Sequence, residues 1–305
     1  MVNCLLGKEL DDNKILEINN TKDAYYLCFL NYAEINSIGI KFNINQNIIN
    51  ECLEVRSTKF ESHDGFDFIL LKIPNLNNIE EHNKKIGIYY RKNLLIFISN
   101  NSTLKNIMDE INRINYQNFT LSKILYLFFD RLTKDDTLNL ENIEEEISSL
   151  EESLITDKKK NYLKEIIFLR KKLLRLKRYY EQFINLLENI DENENNLIDK
   201  KSQKYFKIIY NRIGRLYQNV VNLRDYVTQV REAYQAQVDI EQNNIMKIFT
   251  VITAIFLPLS LIVGWYGMNL KMPEYNWTYG YPAVIILSFV VIMLCIYLFK
   301  RKKWL

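Results

Sequence analysis

Two uncharged apolar runs near the C-terminus constrain this chain more than anything else in it. Ile248 to Trp265 and Pro282 to Phe299 are each 18 residues long and carry no charged side chain. As helix, each spans ~27 Å, about the hydrocarbon thickness of a bilayer. The stretch between them opens Tyr266-Gly267-Met268-Asn269 and continues Leu270-Lys271-Met272-Pro273-Glu274. The pattern predicts a membrane hairpin with a small, polar, glycine-containing turn at the lip of its first helix. A permeating solute would be met at such a turn.

Charge divides the rest. A quarter of the 305 residues are charged, yet the last sixty are almost free of charge. A soluble part, about residues 1 to 235, therefore precedes the membrane part. The net charge of +3 is too small for a nucleic-acid surface. Cys4, Cys28, Cys52 and Cys295 are widely spaced, no CxxC occurs, and His63 and His82 are the only histidines. Neither a structural zinc site nor a disulfide framework is expected, and the thiols read as free. The N-terminus lacks a basic segment followed by an apolar stretch of signal-peptide length, so the first domain is expected to stay in the cytoplasm. Lys300-Arg301-Lys302-Lys303 after the second run places the C-terminus in the cytoplasm too. The loop then faces outward. It carries only Lys271 and Glu274 as charges.

Residues 1 to about 100 alternate short apolar runs with polar turns. Tyr25–Leu30, Phe66–Ile73 and Leu94–Ile98 are rich in aromatic and β-branched residues, and Ile86–Tyr90 pairs with the last through Arg91-Lys92-Asn93. Asn45 to Leu53 reads as a short helix. No GxxxxGK[ST] and no GxGxxG occurs, so no nucleotide is expected. Leu121, Ile124, Leu125, Phe128, Phe129 and Leu132 recur at helical spacing. Ile143, Ile147, Leu150 and Leu154 then form a stripe among glutamates, and a basic helix follows from Lys158 to about Asn189. An acidic and a basic helix predict an antiparallel pair whose faces attract. Asp191 to Asn196 is the clearest linker of the soluble part. From Lys201 a helical stripe of Ile209, Ile213, Leu216, Val220, Leu223, Val227, Val230, Tyr234, Val238 and Ile245 runs into the first apolar run. Lys201 to Trp265 would be ~97 Å of one helix, which needs partners and so predicts oligomerisation.

One face of the first span reads Asn243, Met246, Phe249, Thr253, Leu257, Ser260, Gly264 and Gly267. It starts polar, passes two bulky apolar residues, and becomes small or weakly polar toward the turn. A pore lining would look like this, and so would close packing of small residues on neighbouring helices. The spans hold no carboxylate to grip a bare divalent cation. Carbonyls and Asn269 amides at the mouth could instead accept hydrogen bonds from the waters of a hydrated ion, since Mg²⁺ sheds water reluctantly. Met246 and Phe249 would form an apolar collar at the cytoplasmic mouth. Pro258 removes one backbone hydrogen bond and can bend the span.

YGMN followed closely by MPE, after a span reading TVITAIFLPLSLIVGW, resembles the CorA family of magnesium and cobalt transporters. The likeness continues through Trp277, Gly280-Tyr281-Pro282 and the ending KRKKWL. The resemblance implies a funnel-shaped homopentamer with a central pore lined by the first span. Gly267, Met268 and Asn269 match its signature as the outer selectivity filter. Asn243, Met246 and Pro258 match positions along its conduction helix, and Phe249 and Leu257 occupy its apolar pore positions. Two departures stand out. Family members commonly place three residues between GMN and MPE, often including an acid; here there are two, Leu270-Lys271, and Glu274 remains. The family is held to sense cytoplasmic Mg²⁺ through acids at subunit interfaces, but the matching stretch, FKIIYNR from Phe206 to Arg212, has none. Glu232 and Asp239 are the substitutes as regulatory metal ligands.

The expected fold is an α+β cytoplasmic domain, a mixed sheet with flanking helices, followed by very long α-helices and two C-terminal transmembrane helices. Its segments are 1–133 for the α/β domain, 134–200 for the charged helix pair, 201–247 for the stalk, 248–265 and 282–299 for the spans, 266–281 for the outer loop and 300–305 for the basic tail. The expected function is channel-like passage of divalent cations, chiefly Mg²⁺ with Co²⁺ and Ni²⁺, across the cell membrane. No cofactor, nucleotide or nucleic acid takes part. Mg²⁺ is substrate and regulator, and the partners are the bilayer and four further copies of the chain. Two alternatives remain open: a zinc transporter of the same superfamily, against which intact Met268 argues, and a non-conducting membrane-tethered scaffold or sensor. No nucleophile, base and orienter form a recognisable set, so an enzyme is not expected.

Overall fold

The computed structural model describes residues 2–6, 10–20, 24–54, 58–75, 84–100, 102–113, 119–156, 161–269, 272, 277–302 and 304. It divides into two compact units, Met1–Val230 and Arg231–Leu305.

The first unit is built on six strands: β1 (Val2–Leu6), β2 (Tyr25–Leu30), β3 (Lys59–His63), β4 (Phe66–Ile73), β5 (Lys84–Arg91) and β6 (Leu94–Ile98). They lie in the order β1-β2-β6-β5-β4-β3. β1, β2 and β6 are parallel, and β6, β5, β4 and β3 are antiparallel, so the sheet is mixed. All five residues of β6 are buried, as expected of a central strand covered on both faces. Leu94, Ile96 and Ile98 share one core with α1 (Asp12–Asn20), α2 (Ile35–Lys41) and α3 (Gln46–Glu54) through Ile15, Ile18, Ile35, Ile49 and Cys52. Phe97 points to the other face and meets Phe128 at 4.9 Å between ring centroids. Burial pushes the thiols of Cys28 and Cys52 up to about 12, which leaves both unreactive.

The second layer is α4 (Ser102–Arg113) and α5 (Leu121–Leu132). Thr120 caps α5 by accepting from the Lys123 N–H. Its apolar stripe makes α5 the hub of the unit. Phe129 meets Phe183 of α7 (Leu163–Glu192) at 5.4 Å and Phe206 of α8 (Lys200–Tyr266) at 6.2 Å.

α6 (Asp136–Thr156) and α7 run antiparallel: Tyr162 donates to Ser153 O near the tip, and Lys172 to Glu146 further down. Mutual attraction of acidic and basic faces is the expectation that changes most. Lys172 and Glu146 form an ion pair between the two helices. Arg170, Lys171 and Arg178 are exposed. Solvated charges gain little from pairing, so the buried stripe of Ile143, Ile147, Leu150 and Leu154 holds the pair.

Asp191 to Asn196 also differs from the expected linker. Asn193 and Asn196 adopt φ of 49° and 52°, a region asparagine tolerates. Asn193 exchanges two hydrogen bonds with the Ile198 backbone. The Asn195 amide nitrogen lies 2.7 Å from His63 O and 2.8 Å from Asp67 Oδ1, and its oxygen accepts from Gly65 N. Asp199 then caps α8 by accepting from Ser202 N. A run of asparagines that looks loose is a fixed corner.

In α8, Ile209, Ile213, Leu216, Val220, Leu223, Val227 and Val230 are buried within the unit. The stripe is thus covered by its own chain up to Val230, and only the part beyond asks for partners. Phe206 and Ile209 are core residues, and Arg212 pairs with Asp130 at 2.9 Å. The FKIIYNR stretch serves internal packing.

Candidate functional site

The second unit holds the end of α8 and α9 (Gly280–Arg301). Both helices are long and apolar enough to cross a membrane, and their apolar windows are 6% and 0% buried. A core helix of a soluble protein would be mostly covered. Aromatic side chains mark the ends of these segments: Trp265, Trp277 and Tyr281 at one, Tyr297 and Trp304 at the other, all exposed. Such belts are typical of membrane–water interfaces. Lys300 and Arg301 close the last turn of α9.

At ~100° per residue, Met246, Phe249, Thr253, Leu257, Ser260, Gly264 and Gly267 fall within an arc of ~80°, with Asn243 ~40° to one side. Every one of them is exposed. The less exposed residues Val251, Ala254, Ile255, Pro258, Leu259 and Ile262 lie on nearly the opposite face. α9 packs there, with Cys295 Sγ 3.8 Å from Ala254 O. The stripe read from the sequence therefore points away from the chain's own second span. Thr253 donates its hydroxyl to Phe249 O, leaving its oxygen as an acceptor toward the open side.

α8 ends at Tyr266, and Gly267 closes the turn by donating to Val263 O at 2.8 Å. A Cβ on Gly267 would meet that carbonyl oxygen at 2.8 Å, too close for any side chain. Glycine is needed here for close backbone approach. Met268 donates its N–H to Trp265 O, and Asn269 follows, exposed, its side-chain amide without a partner among the described residues. Beside the turn lies a cleft of about 620 Å³ lined by Tyr266, Met272, Trp277, Tyr281 and Val284. It is apolar and aromatic, unsuited to a cation. Leu270, Lys271 and Glu274 lie outside the described residues.

Glu232 and Asp239 are exposed on α8 two turns apart, and Asp239 accepts from Gln235 Nε2. Among the described residues no three His, Cys, Asp or Glu side chains gather as a metal-binding group. The structure thus sets Met246 to Gly267 along one face, with Met268 and Asn269 just beyond, and among the described residues assembles no acid cluster around Glu232 or Asp239. Cys295, read from the sequence as a free thiol, donates to Ala254 O.

A profile of the family described as CorA-like Mg2+ transporter protein matches residues 25–301. The chain belongs to the CorA-like family. It is similar to the cobalt/magnesium transport protein CorA of Thermotoga maritima, 29% identical over 283 residues that cover 89% of this chain and 80% of that one. It is also similar to the cobalt/magnesium transport protein CorA of Methanocaldococcus jannaschii, 26% identical over 254 residues, 81% of this chain and 80% of that one. The solved complete structure of the CorA magnesium transporter from M. jannaschii superposes with a TM-score of 0.77 at 24% identity, over 92% of this chain and 90% of that one. The fold is therefore that of CorA, with its mixed sheet, long helix and C-terminal apolar helices.

Proposed function

We propose that this chain forms a homopentameric, channel-like pathway that carries hydrated divalent cations, chiefly Mg²⁺ and also Co²⁺ and Ni²⁺, through the cell membrane. The observation that carries the reading is the exposed Met246-to-Gly267 stripe on the face opposite α9, ending at the exposed Asn269 amide, which has no partner among the described residues. Five such stripes would enclose a path, and five Asn269 oxygens would ring its outer mouth. Water bound to Mg²⁺ is a strong donor, and a neutral amide ring accepts from it without trapping the ion by net charge. Met246 and Phe249, 63% and 61% exposed in one chain, would face each other across the inner mouth as an apolar collar. The names of the relatives support Mg²⁺ and Co²⁺ as cargo. No cofactor or nucleotide is required, because a divalent ion gains ~4.6 kcal/mol per 100 mV of membrane potential. Both termini would lie in the cytoplasm, the basic end of α9 on the cytoplasmic side.

Asn269→Ala tests the filter. A lost hydrogen bond is worth ~0.5–1.5 kcal/mol. Repeated in five copies, its removal should lower Mg²⁺ uptake into a magnesium-requiring strain by about 100-fold or more. Unchanged uptake by a normally expressed variant would remove the filter role. Zn²⁺ outcompeting Mg²⁺ in liposome flux would move the cargo to zinc. Glu232 and Asp239 would act as regulatory ligands only across subunits, and their replacement by alanine should then abolish inhibition by internal Mg²⁺.

A further inference from the structure

Pro258 lies inside α8. Proline has no N–H, so the carbonyl four residues earlier, that of Ala254, loses its ordinary helical donor. In hydrocarbon no water takes the donor's place, and an unpaired carbonyl is costly. The structure puts another donor at this carbonyl: Cys295 Sγ of α9 stands 3.8 Å from Ala254 O. Ala254, Pro258 and Cys295 are all partly buried, on the side of α8 away from the exposed stripe. We propose that Cys295 is a positioning residue, whose thiol replaces the hydrogen bond that Pro258 removes and so sets the bend of the first span against the second. A valine at 295 would fill similar space and supply no proton.

The thiol is a weak donor. That suits a joint that has to be made and released. Hydrogen bonds between membrane helices shift equilibria by about three-fold, enough to bias two bends of α8 without locking one. The functional half of the inference rests on the transport reading above, because α8 bears the proposed pore stripe. The structural half does not.

The test uses the full chain reconstituted in lipid. An infrared difference spectrum between the native chain and Cys295→Ala isolates the Cys295 S–H stretch. It should be displaced to lower frequency, as for a donor to a carbonyl. In Pro258→Ala, where residue 258 again supplies an N–H, it should move back toward the free-thiol position. A free-thiol band in the native chain, or a band equally displaced in Pro258→Ala, overturns the proposal. Mg²⁺ flux supplies the second reading. Cys295→Ala should change it about three-fold, Cys295→Ser should restore it, and neither should matter in the Pro258→Ala background. The same change with and without Pro258 overturns the coupling. Absence of flux from every chain, native included, counts against the transport reading while the infrared result still decides the hydrogen bond.

Discussion

At Gly267 a Cβ would stand 2.8 Å from the Val263 carbonyl oxygen, whereas one at Gly264 meets nothing within 4 Å. The two glycines therefore make different predictions. Gly267→Ala should displace the turn that carries Met268 and Asn269 and lower Mg²⁺ flux by about tenfold or more, which ~1.4 kcal/mol suffices to do. Gly264→Ala should leave the stability of a separated chain within ~0.5 kcal/mol, so any loss of flux would report on the neighbouring copies or the path. Parallel thermal melts and flux assays on both variants check this. Asp136 offers a residue-scale test in the first unit. Burial pushes its carboxyl from 3.8 up to about 6, with Asp135 adding to the rise and Tyr180 and Arg212 pulling back. An acid with a raised folded pKa favours the native state below its unfolded value and loses that contribution as pH rises through about 6. Asp136→Asn should therefore be close to neutral at pH 4 and raise stability by up to ~3 kcal/mol above pH 7. Melts of the full chain in detergent at both pH values measure it, and a pH-independent difference would contradict it.

Among the elements, the α7–α8 corner and the end of the first span show what pattern reading reaches. Strands β2, β4, β5 and β6 were legible because alternating aromatic and β-branched residues mark a pleated, buried surface, and the antiparallel pairing of β5 and β6 followed from Arg91-Lys92-Asn93. β3 was not legible, since Lys-Phe-Glu-Ser-His is an edge strand with little apolar content. β1 and the short α1 and α2 escaped for want of length. The corner escaped for another reason. Asn193, Asn195 and Asn196 read as loop by composition, while Asn195 bonds β3–β4 backbone more than a hundred residues away. Asn195→Ala should leave Asp67, 5% exposed, and the hairpin carbonyls short of a donor. A cost of about 1–3 kcal/mol follows, read as a lower melting temperature and faster amide exchange at Ser202. No change in either would show that the corner is held elsewhere. The Met246-to-Gly267 stripe was legible as periodicity; its side was not. The packing of α9 on the Ala254 face shows that the stripe is not the contact between the two apolar helices of one chain.

For the molecule, family membership unites features that seem unrelated in a single strand of sequence. The stripe from Ile209 to Val230 is satisfied within its own chain, whereas Ile240, Ile245, Ile248 and Phe249 stay more than half exposed. In the proposed assembly a ring of copies would cover these open faces. The account predicts that cross-linking in the membrane yields a ladder ending at five copies. Conduction of hydrated Mg²⁺ through the stripe is the property that flux decides. The most direct measurement is Mg²⁺ flux into proteoliposomes of the purified chain under an imposed membrane potential, repeated with Co²⁺, Ni²⁺ and Zn²⁺ and with Asn269→Ala. Mg²⁺ entry should be saturable, grow with inside-negative potential and disappear in the variant. Absence of entry by correctly assembled native protein, or entry equal in Asn269→Ala, would contradict it.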